Sequence, residues 1–243
     1  MSRDFRKRLM WTPRAVPMIS PAEAERIRTT ILSRRVPWIE RVSVGGRPFF
    51  TVGAASYLDA IPFASYYYNS ARVSNAALRR YFGWVYTRLR GTLEQALDAP
   101  VTFEQGMALP GFHVFLGAAA YESKTSSVHA DLQYRLVEFK NREIDEKTTL
   151  SFTMLVRAPA LGAGLTLWDA LHEPEDDSST LRRDERLKAS SRKSHAYSVG
   201  TLFLHSGRQY HAIAPIDQPS ETDERITLQG HAVFADGEWY AYW

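Results

Sequence analysis

The sequence predicts a mainly β protein with helices near its amino terminus, and three observations support this class. Residues 74–99 place apolar side chains at steps of three or four, which is the period of a helix. From Val101 onward, the apolar residues instead occur in short β-branched and aromatic runs that Gly, Pro, Asp or Ser interrupt. About eight such runs follow the helices, and this arrangement favours a jelly-roll sandwich.

Two helices are expected before residue 100. The first spans about residues 20–34, because Ser20 suits an N-cap and Pro21 suits the first helical turn. The second spans about residues 74–99 and carries an apolar stripe wide enough to cover one face of a sheet. The tyrosine cluster 66–68 is interpreted as a loop that packs against the fold.

The strands expected after residue 100 are short and bounded by turn-forming residues. They are 112–116, 149–156, 165–168, 194–199, 201–205, 210–214, 225–234 and 239–243. We therefore expect a single domain over residues 1–243, with a helical support region at 1–100 and a jelly-roll core at 101–243.

Residues 172–193 are rich in both acidic and basic side chains. This composition is typical of a solvated, mobile loop. Two interpretations stay open, namely a plain exposed insertion and a lid that orders over a bound substrate. His172 and His195 flank the segment, and we expect both at the surface rather than at a metal.

The composition excludes several classes of protein. Without cysteine there can be no disulfide, zinc–thiolate site or thiol nucleophile. A net charge of only +3 is weak evidence for a nucleic-acid partner, and much of the local excess lies in a basic tail (Arg3, Arg6, Lys7, Arg8 and Arg14) interpreted as solvated. No apolar run is long enough to span a bilayer. We expect a cytoplasmic protein with a small-molecule substrate and with neither nucleic acid nor membrane as partner, and its oligomeric state stays open.

The most informative motif is His129-Ala130-Asp131, which is followed by His211 and then by Arg225-Ile226-Thr227. Two imidazoles and one carboxylate can hold a divalent iron on one triangular face and leave the opposite positions open. An arginine offers a rigid fork of donors for a carboxylate. Because residues two apart on a strand share a face, the Thr227 hydroxyl should point in the same direction as the Arg225 guanidinium.

Each part of this motif has a competing interpretation. His205 lies only six residues before His211, but Ser206-Gly207 is typical of a turn, which favours His211 as the distal ligand. Arg225 could instead form a surface salt bridge with Asp223 or Glu224. The H-x-D triplet alone also occurs by chance in many proteins, so a similar barrel with a non-redox metal or with no metal stays possible.

At these residues the sequence resembles the Fe(II)/2-oxoglutarate-dependent oxygenases, whose pattern is H-x-D, a distal His and then an Arg that one large branch carries in R-x-S. Thr227 stands in place of the Ser and keeps its hydroxyl. The resemblance implies a double-stranded β-helix, or jelly roll, with the metal at its open mouth. It implies His129, Asp131 and His211 as ligands of Fe(II), Arg225 and Thr227 as contacts of 2-oxoglutarate, and O2 as the second cosubstrate.

Short runs also resemble the small bacterial enzymes that hydroxylate or chlorinate free amino acids and natural-product precursors. These runs are 111–115, 129–133 and 165–169. Related halogenases carry Gly or Ala at the position of Asp131, so the resemblance implies a hydroxylase. Substrate contacts are expected among four polar-tipped or aromatic residues near predicted strand ends, which are His113, Trp168, Asp169 and Trp239.

Two rival classes of function stay open at this point. A jelly-roll hydrolase or isomerase of the cupin type could use His129, Asp131 and His211 with zinc or manganese, but it would not need Arg225 and Thr227. A non-catalytic ligand-binding jelly roll would need neither set of residues. The response of the protein to ferrous iron and 2-oxoglutarate distinguishes the three.

Overall fold

Two β-sheets form the framework of the protein, whose computed structural model describes residues 12–42, 48–61, 63–117, 127–160, 162, 164–214 and 220–243. The strands of the described residues are β1 (Arg14–Pro17), β2 (Ile39–Val42), β3 (Pro48–Val52), β4 (Val101–Phe103), β5 (Gly111–Leu116), β6 (Asp145–Arg157), β7 (Leu165–Leu171), β8 (Arg192–His195), β9 (Thr201–Ser206), β10 (Gln209–Ile213), β11 (Glu224–Ala235) and β12 (Glu238–Tyr242).

The larger sheet runs in the order β1-β9-β6-β11-β5-β3-β2, and β12 pairs with both β11 and β4. The smaller sheet runs in the order β10-β7-β8. The pairs are antiparallel except for β4 with β12. The eight strands predicted after residue 100 correspond to β5–β12, and the predicted jelly-roll core is confirmed.

The first hundred residues contribute strands as well as helices, which the expectation of a helical support region missed. β1 pairs with β9, and β3 joins β2 to β5, so this part of the chain completes both flanks of the larger sheet. These strands are four or five residues long and carry Pro or charged residues, so a sequence window offers little alternation from which to predict them.

The helices of the described residues are α1 (Pro21–Leu32), α2 (Ser56–Asp59), α3 (Ala64–Leu97) and α4 (Thr180–Ala189). The predicted start of α1 is confirmed, because the Ser20 hydroxyl accepts a hydrogen bond from the Glu23 amide and the Glu23 carboxylate accepts one from the Ser20 amide. α3 ends at Leu97, beyond which Asp98 adopts a left-handed backbone with φ of 50°.

The interpretation of the tyrosine cluster 66–68 as a loop is wrong, because α3 begins at Ala64 and contains it. Tyr67 is fully buried, and its hydroxyl donates to the backbone oxygen of Trp243 at 2.8 Å and accepts from the Ala108 amide at 3.0 Å. These contacts come from distant parts of the chain, and they stabilise the first turns of a helix whose local sequence is rich in aromatic residues of modest helix propensity.

Alternate residues of the larger sheet face two different environments. Leu150, Phe152 and Met154 of β6 belong to the core cluster that also contains the buried faces of α1 and α3. Ser151 and Thr153, which point to the opposite side, line a cavity between the sheets. The helices therefore cover one face of the larger sheet, as the apolar stripe predicted, and the other face is available for a site.

Residues 172–193 contain regular structure, unlike the loop that their composition predicted. A 3₁₀ turn at Pro174–Asp177 precedes α4, and β8 begins at Arg192. The Ser179 hydroxyl caps α4 by accepting from the Arg182 amide, and α4 has no buried residue. Composition did not reveal this helix because its stability depends on capping and on ion pairs rather than on an apolar stripe.

Residues 1–11, which hold Arg3, Arg6, Lys7 and Arg8, lie outside the described residues. Arg14 is not in a solvated tail, because it lies in β1 and donates to the backbone oxygen of Ala96. Among the described residues, no helix combines the length and apolar character needed to cross a membrane.

Candidate metal centre

A cavity of about 370 Å³ lies between the two sheets and holds most of the predicted site residues. The larger sheet contributes polar side chains that include Ser151, His205 and Arg225, and β10 of the smaller sheet contributes His211. This volume is within the range of small-molecule sites in enzymes.

His129, Asp131 and His211 meet at one place on the cavity wall, where one donor atom from each lies within 4.8 Å of the others. Oδ1 of Asp131 is 3.7 Å from Nε2 of His129, and Oδ2 is 3.3 Å from Nε2 of His211. The side chains of Asp131 and His211 are 8% and 6% exposed, whereas that of His129 is 45% exposed. The cluster therefore lies where the cavity opens to solvent.

Backbone pairing explains why residues 80 positions apart meet. The His129 amide donates to the oxygen of His211 at 3.0 Å, and the His211 amide donates to the oxygen of His129 at 2.8 Å. The Asp131 amide donates to the oxygen of Gly207 at 2.7 Å, within the predicted turn between β9 and β10. The H-x-D segment thus pairs with the strand that carries His211, and the two imidazoles become neighbours with ring centres 4.4 Å apart.

Hydrogen bonds set the tautomer of both imidazoles. Nδ1 of His129 lies 2.8 Å from the oxygen of Ser127, and Nδ1 of His211 lies 2.9 Å from the oxygen of Gln209. A carbonyl oxygen can only accept, so Nδ1 carries the proton in each ring and Nε2 keeps a lone pair. Both lone pairs are on the nitrogens nearest to Asp131, which is the arrangement a metal ion requires.

The ionisation states also suit a cation. Burial lowers the pKa of His211 to about 3 although the nearby Asp131 carboxylate opposes that shift, so the ring is neutral near pH 7. Burial disfavours the charge of Asp131, but the surrounding imidazoles, with His211 foremost, hold its pKa well below the usual value. The result is an ionised carboxylate of Asp131 beside the neutral imidazole of His211.

Three further side chains surround Asp131, and the sequence analysis did not find them. The Ser151 hydroxyl donates to Oδ2 at 2.6 Å, and Nε2 of Gln133 donates to Oδ1 at 2.9 Å. Nδ1 of His231 lies 3.3 Å from the Ser151 hydroxyl and 3.7 Å from Oδ2 of Asp131. Gln133 lies two residues after Asp131 and could have been suspected from the sequence. Ser151 and His231 could not, because they become neighbours only when β6 pairs with β11.

His205 lies beside the cluster but outside it. Its ring centre is 4.6 Å from that of His211, and its Nδ1 lies 2.9 Å from the oxygen of Ser206. Among the described residues, the group that could hold a metal consists of His129, Asp131 and His211 and does not include His205. The structure therefore places the preferred distal histidine, rather than its rival, next to the H-x-D motif.

The donor set fits a divalent iron. Two imidazoles and one carboxylate on one side of an open cavity are the ligands of a facial site with free positions, and the cluster has no thiolate that would favour zinc. The Ser151 and Gln133 hydrogen bonds to Asp131 supply the outer support that metal-binding carboxylates usually have.

On β11, Arg225 lies opposite Phe115 of β5, and Thr227 lies opposite His113. Phe115 and His113 both line the cavity. Arg225 is only 2% exposed, and its guanidinium carbon lies 5.7 Å from the centre of the Phe115 ring. The interpretation of Arg225 as a surface salt-bridge residue is therefore wrong. Thr227 is fully buried and accepts a hydrogen bond from Nε2 of Gln229 at 3.2 Å, but it is not among the side chains that line the cavity.

The four predicted substrate contacts are scattered. His113 lines the cavity, where Nε2 lies 2.5 Å from the hydroxyl of Tyr57, and burial lowers its pKa to about 3. Trp168 lines a separate depression beside α4, Asp169 is exposed, and Trp239 is fully buried against Phe234. The structure brings His113 to the site and leaves the other three outside the cavity, because strand parity and core packing turn their side chains elsewhere.

Residues 132–243 match the family model described as the carrier-protein-independent halogenase WelO5. That stretch begins directly after Asp131 and includes His211, Arg225 and Thr227. A search of the curated proteins gave no match.

Three solved structures share the fold. An N-substituted L-amino acid dioxygenase from Burkholderia ambifaria AMMD is 20% identical, with a TM-score of 0.52 over 74% of this chain and 69% of that chain. SnoN, a non-heme alpha-ketoglutarate-dependent epimerase from nogalamycin biosynthesis, is 14% identical, with a TM-score of 0.54 over 96% and 86%. AviO1 from Streptomyces viridochromogenes Tue57 is 14% identical, with a TM-score of 0.52 over 97% and 96%. The match over residues 132–243 and the shared fold both agree with the resemblance to the Fe(II)/2-oxoglutarate oxygenases that the motif first indicated.

Proposed function

We propose that the protein is an Fe(II)- and 2-oxoglutarate-dependent dioxygenase that hydroxylates a small molecule. The observation that carries the proposal is the meeting of His129, Asp131 and His211 in the same cavity as the buried Arg225. A hydrolase or isomerase of the cupin type would use the three ligands but has no use for a buried guanidinium in the same cavity. The dioxygenase and epimerase among the solved structures with this fold support the same choice.

Each residue has a defined task in this proposal. His129, Asp131 and His211 hold Fe(II), and Arg225 binds the distal carboxylate of 2-oxoglutarate through a charge-assisted pair. Iron with 2-oxoglutarate and O2 supplies an oxidant for an unactivated C–H bond, with succinate and carbon dioxide as co-products. The chain determines which C–H bond is nearest, and the aromatic wall that includes Phe49 and Phe115 limits the access of water.

Hydroxylation is favoured over halogenation because Asp131 is present. If Asp131 holds the metal, its carboxylate would take the position that a halide would need. Ser151 and Gln133 each donate a hydrogen bond to one of its oxygens, so the carboxylate is held in place rather than free to move aside. The match to a halogenase family model covers residues 132–243 and includes neither His129 nor Asp131, so the proposed product rests on the ligand set.

The substrate is proposed to be a free amino acid or a natural-product precursor. A cavity of about 370 Å³ that also holds 2-oxoglutarate leaves room for a small molecule or for one end of a larger one. His113 and Tyr57 form a polar pair in the cavity wall, where they could contact such a substrate. Exposure of His129 suggests that the substrate enters beside this ligand.

The first experiment is an anaerobic titration of metal-free protein with ferrous iron and then with 2-oxoglutarate. We expect the visible charge-transfer band of an iron-bound 2-oxo acid, at one equivalent of each. If wild type shows the band and Arg225→Ala needs much more 2-oxoglutarate to show it, the result would support both the three metal ligands and the role of Arg225. Iron binding without any band would favour the hydrolase or isomerase, and the absence of iron binding would favour a non-catalytic ligand-binding protein.

The second experiment tests the outcome of the reaction. The enzyme is supplied with iron, 2-oxoglutarate, O2 and chloride, together with a panel of amino acids and natural-product precursors, and the products are analysed by mass spectrometry. We expect the gain of one oxygen with succinate formed in step. A chlorinated product from wild type would overturn the role of Asp131, and Asp131→Gly is expected to give mostly inactive protein because the loss of a ligand weakens iron binding.

A further inference from the structure

A cluster of ion pairs outside the cavity links the two segments that carry the candidate metal ligands. It centres on residues 173–177, which we call the acidic turn and which follow β7. We propose that the acidic turn is a clamp that sets the affinity of the metal centre, although none of its side chains is a candidate ligand. The inference rests on the proposed function, since it requires that His129, Asp131 and His211 bind a metal ion.

Asp177 holds the segment that carries His129 and Asp131. Nη1 of Arg135 donates to its carboxylate at 2.7 Å, and Nε2 of His172 lies 2.9 Å from the other oxygen. Arg135 lies in a 3₁₀ turn, Gln133–Leu136, which begins two residues after Asp131. The hydrogen bond from Arg135 and that from His172 lower the pKa of Asp177, so the carboxylate stays charged and keeps both partners.

Asp176 holds the strand that carries His211. Its Oδ2 accepts from the hydroxyl of Tyr210 at 2.9 Å and from the Glu173 amide at 2.9 Å, and it also pairs with Arg186 of α4. The Asp176 side chain is only 6% exposed, so these contacts are poorly screened by solvent. Because Tyr210 directly precedes His211, the contact acts on the strand next to the ligand.

A third link ties the turn that precedes β10 to the same place. Nη2 of Arg208 donates to the backbone oxygen of His172 at 2.6 Å and lies 3.1 Å from a carboxylate oxygen of Glu173. In return, the His172 amide donates to the oxygen of Arg208 at 2.7 Å. His172 is itself 6% exposed, so the expectation of a surface histidine is wrong, and its role is to join Asp177 to this turn.

The metal centre needs such a clamp because its ligands come from two separate segments. His129 and Asp131 lie in a connection between β5 and β6, and three backbone hydrogen bonds join that connection to His211 and Gly207. A shift between the segments would separate the donor atoms without unfolding either sheet. Asp177 binds Arg135 of one segment, and the neighbouring Asp176 binds Tyr210 of the other, so the acidic turn opposes that shift. A pre-organised donor set binds its ion more tightly.

The test compares variants of the full chain in an anaerobic titration of the metal-free protein with Co(II), whose visible absorption reports binding. Asp177→Ala releases Arg135, and Tyr210→Phe removes only the hydroxyl that reaches Asp176. We expect the dissociation constant for Co(II) to rise about threefold to fivefold in each, less than the tenfold or more that follows the loss of a partner bonded to a ligand itself, because these links act one step further from the metal. The thermal midpoint of metal-free protein should stay within about 3 °C of wild type, because both changes are small on the scale of global stability.

Asp184→Ala is the matched control, because Asp184 is an aspartate of α4, shortly after the acidic turn, and it pairs with Arg183 at 2.9 Å on the surface of the helix. It should bind Co(II) as wild type does. A double variant of Arg135→Ala with Asp177→Ala should bind Co(II) no more weakly than Asp177→Ala alone, since both substitutions break the same Arg135–Asp177 link.

The possible results separate the two proposals. Wild-type affinity in both Asp177→Ala and Tyr210→Phe would overturn the clamp, as would equal weakening in Asp184→Ala. Additive losses in the double variant would also contradict a link through Arg135. If wild type itself bound neither Co(II) nor Fe(II), the proposed function would be wrong. The clamp proposal would then be wrong as well, because it requires a metal ion at the site.

Discussion

The cavity holds two groups of functional side chains, the cluster of His129, Asp131 and His211, which we call the metal end, and Arg225, which we call the other end, and the two are built in different ways. At the metal end, His129 and Asp131 lie in a connection outside the long strands, and His211 lies in the three-stranded sheet. At the other end, Arg225 lies on β11, which pairs with β5 on one side and with β6 on the other. One end is assembled from separate pieces, whereas the other belongs to the centre of the larger sheet.

This difference indicates how each end responds to change. The metal end depends on backbone bridges and on side-chain hydrogen bonds such as those from Ser151 and Gln133, so loosening a single link should weaken it. Arg225 is positioned by two neighbouring strands, so its backbone should tolerate the loss of any one side-chain contact. Substitutions at the metal end should therefore weaken metal binding, and substitution of Arg225 should weaken 2-oxoglutarate binding, each with little effect on the other.

The largest effect is expected at the metal end. His129→Ala and His211→Ala should each abolish detectable iron binding and activity, because a site with three protein ligands has no spare donor. The measurement is the iron content of the purified variants together with an anaerobic titration. His205→Ala is the control, since it removes a buried imidazole of the same cavity and should retain iron. Loss of iron in His205→Ala with retention in His211→Ala would reverse the assignment.

The next effect separates the two ends. Arg225→Ala should raise the 2-oxoglutarate concentration needed for half-saturation by roughly tenfold to a hundredfold, since a charge-assisted bidentate contact contributes roughly 1.5 to 3 kcal/mol. Iron affinity should hardly change. Arg157→Ala is a suitable control, because Arg157 is a half-exposed arginine of the same sheet. Equal 2-oxoglutarate affinity in Arg225→Ala and wild type would show that the cosubstrate binds elsewhere.

A smaller effect is expected from the support of the metal end. Ser151→Ala removes the hydrogen bond to Oδ2 of Asp131, and we expect iron affinity to fall about tenfold with little change in 2-oxoglutarate binding. Thr153→Val is the comparison, because Thr153 also lines the cavity from β6, whereas the Asp131 carboxylate accepts its hydrogen bonds from Ser151 and Gln133. If both variants lost iron to the same extent, the effect would belong to the cavity wall rather than to the carboxylate.

The smallest effect is expected for Thr227→Val. A single neutral hydrogen bond contributes on the order of 1 kcal/mol, so 2-oxoglutarate binding should weaken roughly fivefold at most. Thr227 is fully buried and contacts Gln229 rather than lining the cavity, which points to the lower part of that range. The same titration that follows Arg225→Ala provides the measurement, and a loss as large as that of Arg225→Ala would mean that Thr227 contacts the cosubstrate directly.

Much of the fold was predictable because its signals are local. The apolar stripe that contains Leu78, Val85 and Leu89 predicted most of α3, and short runs bounded by turns predicted β5 to β12. The start of α3 and the strands β1 to β3 were missed, because contacts such as that of Tyr67 with Trp243 join residues far apart in the chain.

The candidate site shows the same division. The pattern of His129, Asp131 and His211 could be found in the sequence, because the chemistry of a metal restricts both the residue types and their order. Ser151 and His231 could not, since nothing in their surroundings marks them until β6 and β11 pair. Trp168 and Trp239 were predicted as substrate contacts from their residue type and their place near predicted strand ends, and packing places them outside the cavity.

The sequence by itself determined the kinds of group this protein can bring to a reaction, because donor atoms, charges and helical or strand periodicity are properties of single residues and their near neighbours. The tertiary structure alone decided which of those groups meet. Whether His205 or His211 completes the cluster, whether Arg225 is buried, and which carboxylates hold the ligand segments together all depend on pairings between distant strands. Those pairings are stabilised by many weak contacts at once, and no short stretch of sequence contains them.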